Sequence, residues 1–190
     1  MKLKLMKPLN FCRLGINIYF LHENSILKYS AKYDSLALGV TIMVIALLTM
    51  ISILIFTSPI ILLIKIITVI ALALLVFSIY LFSPKEYVLS ANGILIKRFI
   101  KSINIPYSLI SDIKYDPNVW RWLHLRLFGS GGLFGWWGLF SLKNIGRAWL
   151  YVTNRRNLVV IRLKNGRVYV LSPENPLDFI NNIQIKMLNR

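Results

Sequence analysis

The sequence predicts a membrane-spanning hairpin of two α-helices followed by a small, mainly-β domain that ends in a helix. Two long apolar runs occupy residues 36–57 and 60–82, and after them the chain consists of short apolar segments separated by turn residues. We therefore divide the 190 residues into a basic cytoplasmic N-terminal arm (1–34), a transmembrane hairpin (35–83) and a β domain (84–190). About 100 residues are enough for one globular domain.

The N-terminal arm mixes basic, aromatic and apolar residues without a clean period. It is predicted to hold either a short strand at residues 16–21 or a helix in the membrane plane at residues 24–33, where rings and basic groups suit the headgroup boundary. An ordinary linker into the first helix is the alternative. The basic residues 1–8 are similar to the start of a signal peptide, but no unbroken apolar run or cleavage site follows, so we expect them to be retained.

The two apolar runs are each long enough to cross a bilayer. The first has no charge over 22 residues, and as a helix it is about 33 Å long. Ser58 and Pro59 end it, and the second run contains one charge, Lys65, whose ammonium lies close enough to the end to reach the headgroups. We expect helices because hydrocarbon offers no hydrogen-bond partner to backbone N–H and C=O groups. Soluble core helices are the alternative, but two such runs exceed what a small domain buries.

The charge pattern predicts the orientation. The chain has 23 Lys and Arg against 7 Asp and Glu, a net charge of +16, and both flanks of the hairpin are basic while residues 57–59 carry no charge. The positive-inside rule therefore predicts a multi-pass protein of the cell membrane with cytoplasmic N- and C-termini. The one cysteine, Cys12, cannot form an internal disulfide, which agrees with a reducing compartment.

The β domain is predicted to begin with a hairpin. Residues 85–90 and 94–99 flank Ala91, Asn92 and Gly93, and the Asn-Gly pair is expected to supply the positive φ of a tight turn. Further along, Ile105 and Pro106 indicate an edge strand or a bend, and residues 109–115 form another strand that ends at Asp116.

Later segments predict three more strands and a closing helix. Residues 147–153, 158–163 and 167–172 are β-rich and closely spaced, so we expect a meander. After Pro176 and Asp178, apolar residues recur at helical spacing, which predicts an amphipathic final helix. Its apolar positions are Phe179, Ile180, Ile183 and Met187.

About seven short strands followed by one helix, in about 100 residues, form a recognisable order. It is carried by residues 87–96, 105–113, 127–138, 151–154, 158–161 and 171–180. This order resembles the prokaryotic pleckstrin-homology-like (PH-like, or bacterial PH) domains, which often follow one or two membrane helices in proteins of unknown function. The resemblance implies a small barrel of two bent, roughly orthogonal sheets, capped at an open corner by the final helix. None of these stretches is a catalytic fingerprint.

Motifs for catalysis, cofactors and metals are missing from the sequence. The glycine-rich run at residues 128–138 lacks the Gly-Lys-Ser/Thr ending of a P-loop and the G-x-G-x-x-G spacing of a dinucleotide fingerprint. Two distant histidines, His22 and His124, and one cysteine do not make a Cys/His metal site. We therefore predict no catalytic, cofactor or metal residues, and no enzymatic activity.

Aromatic and basic residues supply the candidate binding surface. All five tryptophans fall between Trp120 and Trp149, interleaved with arginines; they pack either in the barrel core or at the membrane interface, where indole rings and lipid phosphates meet. The hypothesis of a lipid-facing surface names Trp136, Trp137, Arg121, Arg126, Lys97, Arg98, Lys101 and Lys85. Arg155 and Arg156 are the hypothetical partner-facing residues. Phosphoinositide-binding members of the wider superfamily have basic residues in the first hairpin loop, and the short, uncharged turn here argues against such specificity.

These observations predict a non-enzymatic, membrane-anchored binding module. Its expected partners are anionic lipid headgroups, a protein, or a second copy of the chain. The alternative is a structural subunit of a membrane complex, in which the β domain is an assembly platform. Nucleic-acid binding, suggested by a pI of about 10.2, is disfavoured because a location beside lipid explains the same charge.

Overall fold

The computed structural model of the protein describes residues 26–188. The predicted strand at residues 16–21, the retained basic start and Cys12 lie outside these residues. The described helices are α1 (Ser35–Thr57), α2 (Leu62–Phe82) and α3 (Pro176–Leu188). The described strands are β1 (Leu27–Ser30), β2 (Glu86–Leu89), β3 (Gly93–Lys97), β4 (Ile103–Pro106), β5 (Ile110–Tyr115), β6 (Leu123–Gly132), β7 (Gly135–Leu142), β8 (Gly146–Val152), β9 (Val159–Leu163) and β10 (Val168–Leu171). Short 3-10 helices cover Tyr107–Leu109 and Pro117–Trp122.

The two apolar runs form the helices α1 and α2, as predicted. By length and composition both are suited to crossing a membrane, and neither is buried inside the protein. The N-cap residue of α1 is Asp34, whose Oδ1 atom accepts a hydrogen bond of 2.7 Å from the Ala37 N–H group. Beyond its end, the Lys65 Nζ atom donates to the Phe56 carbonyl at 2.8 Å. The one charge of the second run therefore lies at the turn between the helices, next to the negative end of the α1 dipole.

The first sheet is antiparallel, in the order β1-β2-β3-β4. Its edge strand β1 precedes α1, whereas its neighbour β2 follows α2, and Tyr29 lies opposite Tyr87 in their register. The prediction of an in-plane helix at residues 24–33 is therefore wrong. Buried and exposed side chains alternate along this segment as they do in a β-strand: Tyr29 is buried, while Lys28 and Ser30 are exposed.

The hairpin β2–β3 is confirmed, but its turn is not of the expected kind. None of Ala91, Asn92 and Gly93 is among the described residues with a positive φ. Glycine is required at position 93 for another reason: a Cβ atom there would lie 2.4 Å from the Ile105 carbonyl oxygen. Gly93 thus allows β3 to approach β4, which is an edge strand as Ile105 and Pro106 indicated.

The second sheet has the order β5-β9-β10-β8-β7-β6. The hairpin β9–β10 is confirmed, but β8 pairs in parallel with β10, so the predicted meander is wrong. A long hairpin, β6–β7, takes up the glycine-rich run, which sequence reasoning left unassigned. There Gly129 lies opposite Gly138, and a Cβ atom on Gly129 would come within 2.0 Å of the Trp137 carbonyl oxygen. The segment from β2 to β10 therefore has nine strands rather than about seven.

Two apolar clusters hold the fold together. The first lies between the two sheets and under α3, and it includes Tyr87, Ile161 and Phe179. The second lies on the other face of the six-stranded sheet and includes Trp136 and, from the first turn of α1, Ala37. The predicted pair of sheets and the capping helix are confirmed. Within residues 26–188 the sheets are separate hydrogen-bonded units, so the predicted barrel is open rather than closed.

Candidate functional site

The tip of the hairpin β6–β7 is fixed between the two apolar helices. Phe134, at this tip, has a φ of +52°. Its N–H group donates to the Thr41 Oγ1 atom of α1 at 3.1 Å, and its carbonyl accepts from the Ser83 Oγ atom, just after α2, at 2.6 Å. Its ring lies 5.1 Å from the Tyr80 ring. The start of α1 and the end of α2 are thereby held at a set position on the six-stranded sheet.

A second connection joins Asp34 to the turn after β8. The Arg155 Nε atom donates to the Asp34 Oδ2 atom at 2.8 Å, and the Asp34 N–H group donates to the Thr153 carbonyl at 2.9 Å. Burial raises the pKa of the Asp34 carboxyl, but the hydrogen bonds from Arg155 and Ala37 outweigh burial, and the net result is a pKa below the usual value. The Asp34 carboxylate therefore stays ionised at neutral pH and pairs with Arg155.

A basic cleft lies on the outer face of the four-stranded sheet, beside the end of α2. It has a volume of about 580 Å³. Its lining residues are Lys28, Ser30, Lys85, Glu86, Lys97, Arg98, Phe99 and Glu174. Both acids are neutralised, because Glu86 pairs with Lys97 at 2.7 Å and Glu174 pairs with Lys32. Within the described residues no carboxylate forms an ion pair with Lys28, Lys85 or Arg98, so the cleft is suited to an anion.

The loop between β3 and β4 borders this cleft and contacts the last turn of α2. The Ile100 N–H group donates to the Leu81 carbonyl at 3.3 Å. Phe99 and Ile100 are 47% and 42% exposed. On either side of them, the Arg98 guanidinium donates to the Lys101 carbonyl at 3.0 and 2.6 Å. The loop thus presents two apolar side chains between two cations, the composition that suits a membrane interface.

Comparison with known families adds the identity of the β domain. The family model described as "Bacterial PH domain" matches residues 85–187. The chain belongs to the bacterial PH domain family. The match begins directly after α2 and ends within α3, so it leaves β1 outside although β1 completes the first sheet of the PH domain. No curated protein and no solved structure matches the chain.

The PH domain brings together four of the residues predicted to face lipid. Lys85, Lys97 and Arg98 line the basic cleft, and Lys101 lies in the adjoining loop. The remaining cations lie elsewhere: Arg126 is exposed on β6, and Arg121 is exposed in the 3-10 helix Pro117–Trp122. Neither of these two arginines lines the cleft.

The two tryptophans predicted to face lipid differ in burial, and a lipid-facing position is contradicted for Trp136 alone. Trp136 is only 5% exposed and packs in the second apolar cluster, because alternation along β7 points it away from solvent. The core position was the alternative for the tryptophans, and it is the correct one for Trp136. Trp137 is partly buried against the first cluster, 5.5 Å from the Phe82 ring. Its buried indole N–H group has no hydrogen-bond partner among the described residues.

The two arginines predicted to face a partner have different positions. Arg155 pairs with Asp34 and lies over the rings of Trp120 and Trp136, 5.7 and 5.5 Å from their centroids. Its side chain is therefore bound within the protein, which contradicts a partner-facing role. Arg156 is exposed in the turn after β8 and remains available to a partner.

Sequence reasoning missed Lys28, Phe99 and Ile100 as parts of this surface. The position of Lys28 follows only from the pairing of β1 with β2 across 56 residues of chain, which no local pattern reveals. For Phe99 and Ile100, the signal was an apolar pair between Arg98 and Lys101. Among the described residues no group of three or more His, Cys, Asp or Glu side chains is arranged to hold a metal ion.

Proposed function

We propose that the protein is an integral membrane protein in which α1 and α2 cross the bilayer as a hairpin and hold the PH domain against anionic lipid headgroups. PH-like domains are generally binding modules rather than enzymes. The pairing of β1 with β2 supports the hairpin, because it requires the start of α1 and the end of α2 to lie on the same side of the membrane. Residues 27–30 then belong with the β domain rather than with the arm.

Charge supports a cytoplasmic position of that domain. Lys28, Lys32, Lys85, Arg98 and Lys101 all lie at the end of the hairpin that joins the domain, whereas Lys65 alone lies at the opposite turn. Basic residues are retained on the cytoplasmic side of membrane helices. The cytoplasmic leaflet is also the one that presents anionic lipids.

The observation that carries the proposal is the basic cleft beside the end of α2. Three of its cations, Lys28, Lys85 and Arg98, have no acidic partner within the described residues, and the neighbouring loop presents Phe99 and Ile100. Each basic residue near an anionic surface contributes about 1 kcal/mol, within a Debye length of about 8 Å. We therefore expect the domain to contact the headgroups through this face, and the contact to weaken with salt.

Fluorescence quenching tests the proposal on the full chain. Cys12→Ser removes the native cysteine, and Ser102→Cys, in the β3–β4 loop, then carries the one fluorophore. The vesicles contain phosphatidylcholine, a lipid with a nitroxide on its headgroup, and a varied fraction of phosphatidylglycerol. Quenching is expected to rise with the phosphatidylglycerol fraction, to fall with salt, and to drop in the Lys85→Gln/Arg98→Gln variant.

The matched control places the fluorophore on Ala91→Cys, at the far end of the hairpin β2–β3. Five residues of strand put this site about 16 Å farther from α2, so its quenching is expected to be weak in every vesicle. If quenching of the fluorophore at position 102 did not change with the phosphatidylglycerol fraction, the proposed contact with anionic headgroups would be refuted. Stronger quenching at Ala91 than at Ser102 would show that another face of the domain meets the membrane.

An assembly subunit is the second candidate, and the edge strand β6 favours it. Leu125, Leu127 and Phe128 are 57%, 44% and 68% exposed on this strand, whose outer edge has no neighbour among the described strands. Such an edge is suited to strand addition by a partner. Cross-linking in native membranes from Leu127→Cys is expected to capture a specific protein if this candidate is correct, and the Phe128→Lys variant is expected to lose it.

A further inference from the structure

A groove between α1 and α2 opens on the lipid-facing side of the hairpin. It has a volume of about 520 Å³, and its walls include Leu48 and Ser52 of α1, Val69, Ala73 and Tyr80 of α2, and Phe134 at its end. The groove is apolar although Ser52 lines it, because the Ser52 hydroxyl donates to the Leu48 carbonyl of its own helix at 2.8 Å. Thr49, which also lines the groove, likewise donates to the Ile45 carbonyl at 2.9 Å, so both aliphatic hydroxyl groups of the groove are bonded to their own helix.

The depth of this groove corresponds to one leaflet. From Val69 to Tyr80 the helix rises by about 16 Å, and half of the hydrocarbon core is about 15 Å thick. Tyr80 is two residues from the end of α2, so the groove occupies the half of the membrane next to the PH domain. Phe134, inserted between the helices, closes this end of the groove.

Three aromatic rings and a small cavity separate the groove from the basic cleft. The Tyr80 ring lies between the Phe134 ring on the groove side and the Phe99 ring on the other, at 5.1 and 4.9 Å. Beyond Tyr80 is a cavity of about 160 Å³ that shares Lys85 and Phe99 with the basic cleft. An apolar groove of one leaflet's depth is thus followed, beyond these rings, by a cationic surface.

We propose that one anionic phospholipid is bound here, with an acyl chain in the groove between α1 and α2 and its phosphate at Lys85 and Arg98. This inference rests on the proposed function and adds a defined site to it. The apolar part and the cationic part lie in the order in which a phospholipid presents its chain and its headgroup. A transmembrane helix of a second copy fits less well, because it would extend over both leaflets whereas the groove covers one.

Lipid retained by the full-length protein tests the site. The protein is reconstituted in vesicles of phosphatidylcholine and phosphatidylglycerol, extracted into a mild detergent and analysed for bound lipid by mass spectrometry. Wild-type protein is expected to retain phosphatidylglycerol selectively, at about one molecule per chain, and filling the groove with Ala73→Phe should lower retention about tenfold. The Lys85→Gln/Arg98→Gln variant should keep bound lipid but lose the preference for phosphatidylglycerol.

Leu74→Phe is the matched control, since Leu74 is 58% exposed and does not line the groove. It should retain lipid as the wild type does. Ser52→Leu fills the groove from α1 and gives the same test should Ala73→Phe fail to fold, which circular dichroism will detect.

Three results would overturn the inference: retention unchanged by both filling variants, retention lost equally in Leu74→Phe, or a cross-linked dimer that Ala73→Phe disrupts while no lipid is retained. If wild-type protein retains no lipid but the quenching at Ser102 still follows phosphatidylglycerol, the defined site fails and the headgroup contact stands. If neither depends on phosphatidylglycerol, both proposals fail.

Discussion

Removing the Asp34 carboxylate is expected to destabilise the junction between α1 and the PH domain. Asp34→Ala loses the N-cap of α1, which costs about 1 kcal/mol, and a charge-assisted hydrogen bond from Arg155, which costs about 1.5–3 kcal/mol. The pair is largely shielded from water, with side chains 10% and 30% exposed. We therefore expect the free energy of unfolding to fall by about 2.5–4 kcal/mol.

Two further variants separate the cap from the ion pair. Asp34→Asn keeps a good capping side chain and loses only the charge, so its cost should be smaller by about 1 kcal/mol. Asp116→Ala is the matched control: Asp116 also caps a helical turn, through the Asn118 N–H group at 3.0 Å, but it forms no ion pair among the described residues. It should cost no more than about 1 kcal/mol.

The assay is urea unfolding of the full chain in detergent micelles, followed by tryptophan fluorescence, since Trp120 and Trp136 lie against Arg155. A double-mutant cycle of Asp34→Asn with Arg155→Gln should give a coupling energy of about 1–2 kcal/mol. If the changes in the free energy of unfolding caused by the two substitutions were strictly additive, the reasoning would be refuted, because the 2.8 Å contact would then contribute no interaction energy.

The pH dependence provides an independent check. The pKa of Asp34 is lower in the folded protein than its usual value, which is about 3.9 in an unfolded chain. The linked stability is therefore fully present above this unfolded value and is lost as the pH falls through the lower folded value. The difference in stability between wild type and Asp34→Asn should be constant near pH 7 and should shrink as the pH falls below about 4; a difference that does not shrink there would contradict the ion pair.

Three other predictions follow from the described contacts. Gly93→Ala should cost more than about 2 kcal/mol because its Cβ atom meets backbone at 2.4 Å; Gly166→Ala, with a φ of +78° but open space around it, should cost about 1 kcal/mol. Equal losses in urea unfolding would contradict this. Tyr87→Phe should cost about 1–3 kcal/mol, since it removes the partner of a buried carbonyl at 2.6 Å. Burial raises the pKa of Tyr87 to about 12. The contribution of Tyr87 to the free energy of unfolding is therefore present below the unfolded pKa of about 10 and is lost as the pH rises through 12. If the free energy of unfolding of Tyr87→Phe fell above about pH 10 as steeply as that of the wild type, this prediction would be contradicted. Phe134→Ala should cost about 1–1.5 kcal/mol, because the ring is partly buried between the helices, 5.1 Å from the Tyr80 ring. Its control Phe128→Ala, 68% exposed, should stay within about 0.5 kcal/mol, and equal thermal shifts for the two would refute the contact at the hairpin tip.

Elements whose stabilisation is local could be predicted from the sequence. The two long apolar runs predicted α1 and α2, and the spacing of Phe179, Ile180 and Ile183 predicted α3, because each pattern directly determines which groups can be buried or solvated. The β9–β10 hairpin followed from its turn residues in the same way.

Features that depend on distant contacts could not be predicted. The Asn-Gly pair predicts a turn residue at Gly93, whereas the role of this glycine depends on Ile105, twelve positions away. The parallel pairing of β8 with β10 requires β9 to lie on the far side, which spacing alone cannot distinguish from a meander. The burial of Trp136 also depends on distant contacts, namely on Ala37 of α1 and on the 3-10 helix Pro117–Trp122 that covers the sheet.

The separation of β1 from β2 has a consequence for biosynthesis. β1 is translated before either apolar helix, and its partner β2 is translated 56 residues later. At about 5–20 residues per second, the tetrapeptide Leu27–Ser30 waits between about 3 and 11 seconds for the strand that will pair with it. If α1 and α2 cross the bilayer as proposed, both helices must insert and turn back during this interval, and the first sheet can then form only after membrane insertion. Under the proposed topology, a chain whose second helix has not returned across the bilayer would leave β1 without its partner β2, and Tyr29 would stay outside the first sheet.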